Sequence, residues 1–183
     1  MTNKYSLTIF FPCYNEEQNV ARVAGEALQT AKQISDDFEI IIVNDGSKDR
    51  TGEIADRLAE QSPEIRVVHH EVNQGYGAAL QSGFKNASKE LVFYTDGDGQ
   101  FKIEEINKLL PLIDKYDIVS GYRIKRQDAL MRKVNAYLWS ALVNALFKIK
   151  VSDVDSAFKL YRRKIFDEIT LSSQGALIDT EIL

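Results

Sequence analysis

Cysteine is almost absent: Cys13 is the single thiol in 183 residues. One thiol excludes an internal disulfide and fits a reducing compartment. No histidine or other base lies near Cys13 in sequence, so it reads as a small buried residue rather than a nucleophile. Histidine is nearly as scarce. His69 and His70 have no other metal-type ligand at useful spacing and read as solvent-facing imidazoles at the end of a strand. Long apolar runs are missing too. The best stretch, Ala136 to Ile149, is interrupted by Ser140, Asn144 and Lys148, short of the ~20 apolar residues that span a bilayer. The start, Met1-Thr2-Asn3-Lys4, runs directly into a strand-like segment, so no secretory leader is expected. Two glycine-rich phosphate motifs are also lacking. No Gly-x-Gly-x-x-Gly follows the first strand, and no Gly-x-x-x-x-Gly-Lys-Ser/Thr occurs anywhere, which excludes a dinucleotide-binding Rossmann domain and a P-loop.

What is present describes a globular chain, 44% hydrophobic and 27% charged, long enough to bury one sizeable core. The net charge of −4 conceals an asymmetry. Residues 121–164 hold 11 Lys/Arg against 3 Asp/Glu, a net +8; the rest holds 12 against 24, a net −12. A basic segment on an acidic body suggests an anionic partner at that end. The alternative is a solvated basic face that binds nothing.

Apolar runs alternate with helical patterns. Strands are expected at Leu7–Pro12, Phe38–Val43, Ile65–His69, Leu91–Thr95 and Asp117–Ser120. The run Phe38-Glu39-Ile40-Ile41-Ile42-Val43 has the nearly continuous apolarity of a strand buried on both faces. Helices are expected from an Asn15 cap to about Gln33, from an Asp49 cap to Glu60, from Ala78 to Ala87, and from Ile103 to Ile113. After Gly121 the pattern changes. Asp128 to Lys148 reads as one long amphipathic helix, Ala157–Tyr161 as a strand and Arg162–Ile169 as a short helix. This order predicts an α/β fold with a largely parallel sheet.

In such sheets ligands bind beyond the carboxyl ends of the strands. Those ends are the polar places in this chain: Pro12-Cys13-Tyr14-Asn15-Glu16, Asn44-Asp45-Gly46-Ser47, and Tyr94-Thr95-Asp96-Gly97-Asp98-Gly99-Gln100. Asp96 and Asp98, one residue apart after a buried strand, make a hard-oxygen site for Mg²⁺ or Mn²⁺ that also grips a diphosphate, with Gln100 as a neutral ligand. With no glycine-rich phosphate loop, neutralisation falls mainly to that metal. The competing reading of the pair is an ordinary Asp-Gly turn.

Taken together, Pro12-x-Tyr14-Asn15-Glu16-Glu17, Asn44-Asp45-Gly46-Ser47-x-Asp49-x-Thr51, Asn73-x-Gly75 and Asp96-x-Asp98-x-Gln100 resemble the family 2 glycosyltransferases of GT-A fold. Within them the chain is most similar to the branch of dolichyl-phosphate mannose synthase and the bacterial polyprenyl-phosphate glycosyltransferases. The resemblance runs from Leu7 to Leu183, with the motifs in the family's order and spacing. It implies a central, mostly parallel sheet flanked by helices, with residues 1–121 as a nucleotide-sugar half and 122–183 as an acceptor half. Thr180 to Leu183 looks like the opening of another element, so that second half is expected to be cut short. Pro12, Tyr14 and Glu16 would line the base and ribose pocket. Asp45 would accept a hydrogen bond from the base; its alternative is an Asx turn with Gly46. Gly75 would let backbone approach the donor. Asp96 and Asp98, with Gln100, would hold the metal. The family commonly has Asp where Asn44 stands, and Ala or Leu where Gly97 and Gly99 stand, which suggests a looser loop here.

The acceptor decides the branch. A sugar hydroxyl needs a general base, for which Asp153 and Asp155 are the candidates. A lipid phosphate is already ionised and needs cations to place it. Arg123, Arg132, Lys159, Arg162 and Arg163 offer these. Asp155-Ser156-Ala157-Phe158-Lys159 resembles the branch's Asp-x-x-Ser-Gly-Phe-Arg region, with Ala157 for Gly and Lys159 for Arg. Lysine keeps the charge but not the bidentate fork. The favoured expectation is therefore an inverting, metal-dependent hexosyltransferase. It would move a sugar from a UDP- or GDP-linked donor to a polyprenyl phosphate at the cytoplasmic face of the membrane. The long helix would lie at the membrane surface through Tyr137, Leu138, Trp139, Leu142 and Phe147, or instead pack on the sheet or on a second copy of the chain. Nucleic acid is not an expected partner. A hydroxyl-acceptor transferase, a sugar nucleotidyltransferase and a non-catalytic nucleotide-sugar-binding module are the rivals.

Overall fold

A computed structural model describes residues 5–122, 130–147, 151–175 and 177–183, with backbone alone at 130–137. Four strands, β1 (Leu7–Cys13), β2 (Phe38–Asn44), β3 (Ile65–His69) and β4 (Leu91–Thr95), alternate with helices α1 (Val20–Ile34), α2 (Thr51–Gln61) and α3 (Tyr76–Asn86). Then come β5 (Ile118–Ser120), α4 (Leu130–Phe147), β6 (Phe158–Arg162) and two one-turn helices, α5 (Ile165–Glu168) and α6 (Ile178–Glu181). One six-stranded sheet forms in the order β3-β2-β1-β4-β6-β5. β1 is central and pairs parallel with both β2 and β4.

The apolar runs are continuous because both faces of this sheet are covered. Side chains alternate between faces. Ile9, Phe11, Ile40, Ile42 and Phe93 pack with α1 on one side, while Phe10, Ile41, Val43, Val92 and Tyr94 pack with α3 on the other. Phe10, Phe84 and Tyr94 make edge and stacked ring contacts under α3. Truncating such a buried ring to Ala costs about 3–5 kcal/mol. The α/β class and the mostly parallel sheet are as the sequence predicts.

Four details differ. Asn15 does not cap α1. It sits at φ 57°, and the helix begins at Val20 with Asn19 before it. The expected helix Ile103–Ile113 is instead two 3₁₀ segments, Ile103–Lys108 and Leu110–Leu112. Pro111 has no N–H to donate, and its ring clashes with the carbonyl four residues back. The strand after α4 starts at Phe158 and runs antiparallel between β4 and β5. The sheet therefore includes strands from both sides of residue 121. Finally, Gly97 and Gly99 do not loosen their loop. A Cβ at Gly97 would lie 2.5 Å from the Pro12 carbonyl oxygen and 2.7 Å from Cys13 Sγ, and Gly99, at φ +71°, is covered by the Arg22 guanidinium. Gly97 supplies close approach, and Gly99 supplies the left-handed turn.

Candidate active site

The loops after β1 and β2 are tied to each other by a set of reciprocal bonds. Asn15 N–H donates to Ser47 Oγ at 3.0 Å, and Lys48 N–H returns a bond to Asn15 Oδ1 at 2.8 Å. Glu16 N–H donates to Thr51 Oγ1, and Glu17 N–H to Asp49 Oδ2. Arg50 N–H donates to Glu17 Oε2. Asp49 also accepts from the Thr51 N–H at the start of α2, as a capping residue does. Burial raises the Asp49 carboxyl, but bonds from Thr51 and Glu17 outweigh it and hold the group below its usual value. The spacing Asn15-Glu16-Glu17 with Ser47-x-Asp49-x-Thr51 is thus explained: these side chains fix one loop against the other.

What this frame presents is a cleft of about 340 Å³ at the carboxyl ends of the strands, lined among others by Pro12, Tyr14, Glu16, Asp45, Gly75, Asp96 and Asp98. Seven of the residues singled out in the sequence are therefore brought together. Tyr14 is largely exposed, a ring available for stacking. Glu16 Oε2 accepts from Asn19 Nδ2 at 2.7 Å. Cys13 lines the cleft but is buried. Burial first, then the Glu16 and Asp49 carboxylates, push its thiol far up, so it is no nucleophile.

Asp45 is held by three donors. His70 Nδ1 (2.6 Å) and Gln74 N–H (2.9 Å) reach Oδ1, and Gly75 N–H (3.0 Å) reaches Oδ2. Gly75 contributes that N–H at φ +93°. Gly46 takes φ +65°, and any side chain there would collide with the backbone of Val72 and Asn73, so glycine is required for the turn to seat on that loop. Asn44, the departure from the family pattern, leaves Asp45 undisturbed. It accepts from Ser47 N–H and bonds His69 Nδ1 instead. His69 is half exposed, as expected, but the His70 side chain is buried at 8% exposure, contrary to the solvent-facing reading. Its place beside Asp45 was open to inference, because β3 also ends at the ligand-binding edge. Tyr76 and Asn73 line the cleft as well.

Asp96 and Asp98 both face the cleft, whereas the exposed Gln100 is outside its lining. Gln100 meets the pair only through its backbone N–H, which donates to Asp98 Oδ1 at 2.9 Å. Among the described residues no cluster of three His, Cys, Asp or Glu side chains could enclose a metal. Two carboxylates at an open cleft still fit Mg²⁺ or Mn²⁺, ions commonly held by one or two carboxylates plus phosphate oxygens and water. Beneath this loop, Thr95 Oγ1 and Ser156 Oγ are buried with no partner among the described residues.

Those of the expected C-terminal cations whose side chains are described, Lys159, Arg162 and Arg163, are outside the cleft lining. Lys159 is fully buried, donating to Asp179 Oδ1 at 2.7 Å and to Tyr94 Oη at 3.2 Å. Burial pulls its ammonium down, against the opposing pull of Asp179. It serves as an internal counter-ion and makes no surface for an acceptor. Arg162 pairs in the sheet with Leu91, the first residue of β4. It bonds Glu90 and the Ile113 carbonyl, at the edge away from Asp96, roughly 15 Å along the strand at ~3.3 Å per residue. Arg163 pairs with Asp167. Arg123 lies outside the described residues, as does the Arg132 side chain. Asp153 is buried, and neither it nor Asp155 lines the cleft. Trp139 is turned to α6, with Nε1–H donating to Thr180 Oγ1, rather than to an interface. Leu138, Leu142, Leu146 and Phe147 of α4 are exposed. No helix of the described residues is long and apolar enough to cross a membrane.

A sheet of this order, with paired aspartates just beyond β4, has the GT-A fold. The chain belongs to glycosyl transferase family 2, whose model matches residues 8–170. It is 32% identical over 164 residues to the undecaprenyl-phosphate 4-deoxy-4-formamido-L-arabinose transferase of Photorhabdus laumondii, covering 88% of this chain and 50% of that protein. To the protein of the same name from Proteus mirabilis it is 31% identical over 170 residues, covering 90% and 51%. The chain thus spans about half the length of these relatives. Among solved structures it resembles the mannosyltransferase PcManGT of Pyrobaculum calidifontis in complex with GDP-Man and Mn²⁺, with TM-score 0.71 and 18% identity over 99% of this chain and 51% of that one. It likewise resembles the Mycobacterium tuberculosis glucosyl-3-phosphoglycerate synthase with Mn²⁺ and UDP-glucose, with TM-score 0.71 and 18% identity over 98% and 63%.

Proposed function

We propose that the protein transfers a sugar from a uridine diphosphate donor to a polyprenyl phosphate at a membrane surface, with inversion. The observation that carries the reading is the single cleft joining Tyr14, Glu16 and Asp45 to Asp96 and Asp98. Tyr14 would stack on the base and Glu16 would accept from ribose hydroxyls, leaving the diphosphate beside the aspartate pair. Asp96 and Asp98 would hold Mg²⁺ or Mn²⁺, which when bound neutralises charge developing on the departing nucleoside diphosphate. A phosphate oxygen of the lipid attacks the anomeric carbon as the bond to the diphosphate breaks on the opposite face, which inverts the configuration. The attacking phosphate is already an anion, so the protein need supply no base. The relatives' printed names support this acceptor, as does the absence of Asp153 and Asp155 from the cleft lining.

Uridine is favoured over guanosine by the state of Asp45. A carboxylate offers about four acceptor positions, and three are taken, two on Oδ1 and one on Oδ2. One remains, enough for a lone imide N–H. Guanine presents an N–H and an amino group side by side and suits a carboxylate with both oxygens open. Membrane contact is supported by the exposed Leu138, Leu142 and Leu146 of α4 within the segment of net +8 charge. Arg123 and Arg132 of that segment are the cations proposed for the lipid phosphate, since Lys159 and Arg162 are committed elsewhere. On this reading residues 1–121 hold the donor and residues 122–183 contribute to the acceptor side.

Titrating UDP and GDP into the protein with Mn²⁺, then with EDTA, tests the donor half of the reading. Metal-dependent binding of UDP at least about tenfold tighter than GDP is expected. Equal binding, or binding that EDTA leaves unchanged, refutes it. Incubation with UDP-sugars and undecaprenyl phosphate should then yield a lipid-linked sugar, and a product on a hydroxyl acceptor instead would move the protein to the rival transferase class.

A further inference from the structure

Beyond the family motifs, the structure assigns a role in base recognition to His70, as the positioning residue that orients Asp45. The inference rests on the uridine reading above. His70 follows β3, and its backbone N–H donates to the Asn44 carbonyl at 2.9 Å, which continues the strand pairing one residue past the end of β3. Its ring is thereby set between two elements. Nδ1 lies 2.6 Å from Asp45 Oδ1, and Nε2 lies 2.8 Å from Ser82 Oγ of α3. The side chains of His70 and Asp45 are 8% and 5% exposed, so water competes little for either bond.

The tautomer follows from the partners. A carboxylate only accepts, so the proton sits on Nδ1. Nε2 then accepts from the Ser82 hydroxyl while the ring is neutral, or donates to it when the ring is charged. In both states the Nδ1–H bond to Asp45 persists. Oδ1 is saturated by His70 and the Gln74 N–H, which leaves the vacancy on Oδ2, the oxygen that also takes the Gly75 N–H. His70 therefore does two things at once. It holds the carboxylate plane, and it confines base recognition to one oxygen.

Asp45, His70 and Ser82 are the residue types of a hydrolytic triad, with the same two hydrogen bonds. The surroundings argue against that use. Ser82 lies within α3, Tyr76–Asn86, where backbone N–H groups are spent on the helix and cannot form an oxyanion hole. Neither Ser82 nor His70 lines the cleft, but Asp45 does. The triad-like geometry faces the other way: the serine anchors the histidine, and the histidine aims the carboxylate.

The test compares UDP with N3-methyl-UDP, which lacks the imide N–H, by calorimetry in the presence of Mn²⁺. The wild-type protein is expected to prefer UDP about tenfold. His70→Leu, which keeps bulk but donates nothing, should lose that preference by weakening UDP and leaving the methylated analogue unchanged. His70→Asn carries an N–H where Nδ1 stood and should retain the preference to within about threefold. A purely structural histidine would shift the melting temperature or weaken both nucleotides equally. Undiminished discrimination in His70→Leu overturns the inference, as does its loss in a folded His70→Asn protein should His70→Leu fail to fold. Wild-type protein that binds UDP without discriminating the analogue overturns the Asp45–His70 reading alone. Wild-type protein that binds no UDP overturns the uridine reading beneath it.

Discussion

Asp45 and Lys159 are both charged, both buried and both within one hydrogen bond of a partner of opposite or complementary type, yet they teach opposite lessons. Asp45 stands at the carboxyl edge of the sheet, takes three donors and keeps one acceptor position at the cleft. Lys159 is inside the sheet's α3 face, satisfied by Asp179 and Tyr94, and reaches no ligand. Loop residues at strand ends are poised for a ligand because their bonds run between loops and leave the cleft side open. A charged residue within a strand, as Lys159 is in β6, is consumed by the core. Charge in a sequence therefore signals function at the strand ends far better than within the strands.

The largest expected effect sharpens the edge side of this contrast. Asp98→Asn should reduce sugar transfer by about 10²–10³-fold, the loss typical of removing one electrostatic contributor to a departing charge. The melting temperature should hardly change, since Asn retains the Oδ1 that accepts from Gln100. Transfer within about twofold of wild type would mean that the pair is only a turn. Next is Lys159→Met, which strands the Asp179 carboxylate. Breaking a buried pair from one side costs about 3–5 kcal/mol, to be read from denaturant unfolding. The double change with Asp179→Leu should recover much of that loss. A Lys159→Met protein of native stability with impaired lipid binding would break the comparison and restore Lys159 as an acceptor anchor.

The smallest effect concerns the C-terminal turn. Glu181 accepts from the Ser173 N–H, the Ser172 hydroxyl and the Ser172 N–H, which lowers its carboxyl to about 2. A depressed carboxylate stabilises the fold above its unfolded value of 4.5 and loses that contribution as pH falls from there toward 2. Being only partly buried, and so partly screened by water, it should move the melting temperature by only about 1–2 °C. Glu181→Gln should flatten the curve in that window, and an unchanged curve would show that these bonds add nothing to stability.

The elements legible in advance were those whose pattern is local. β3 and β4 match their predicted ends, and β1 and β2 each run one residue past theirs, because a run such as Ile40-Ile41-Ile42-Val43 needs only a covered sheet to be a strand. Asp96, Asp98, Glu16 and Tyr14 were legible for the related reason that polar residues cluster where such runs stop. His70 was misread because its significance depends on Ser82, twelve residues away on another element, and on Asp45, twenty-five residues back. For Trp139 the sequence left interface and internal packing open, and its bond to Thr180, forty-one residues on, favours packing.

The sequence by itself determined the α/β alternation, the polar edge at the strands' carboxyl ends and the family, since periodicity, strand-end polarity and motif spacing are properties of neighbouring residues. Only the tertiary structure decided which charges are available to a ligand. The antiparallel insertion of β6 between β4 and β5 places Lys159 against Tyr94 and Asp179 and sends Arg162 to the far edge. A buried charge must find a counter-charge in space, and chain order does not specify which one it will meet.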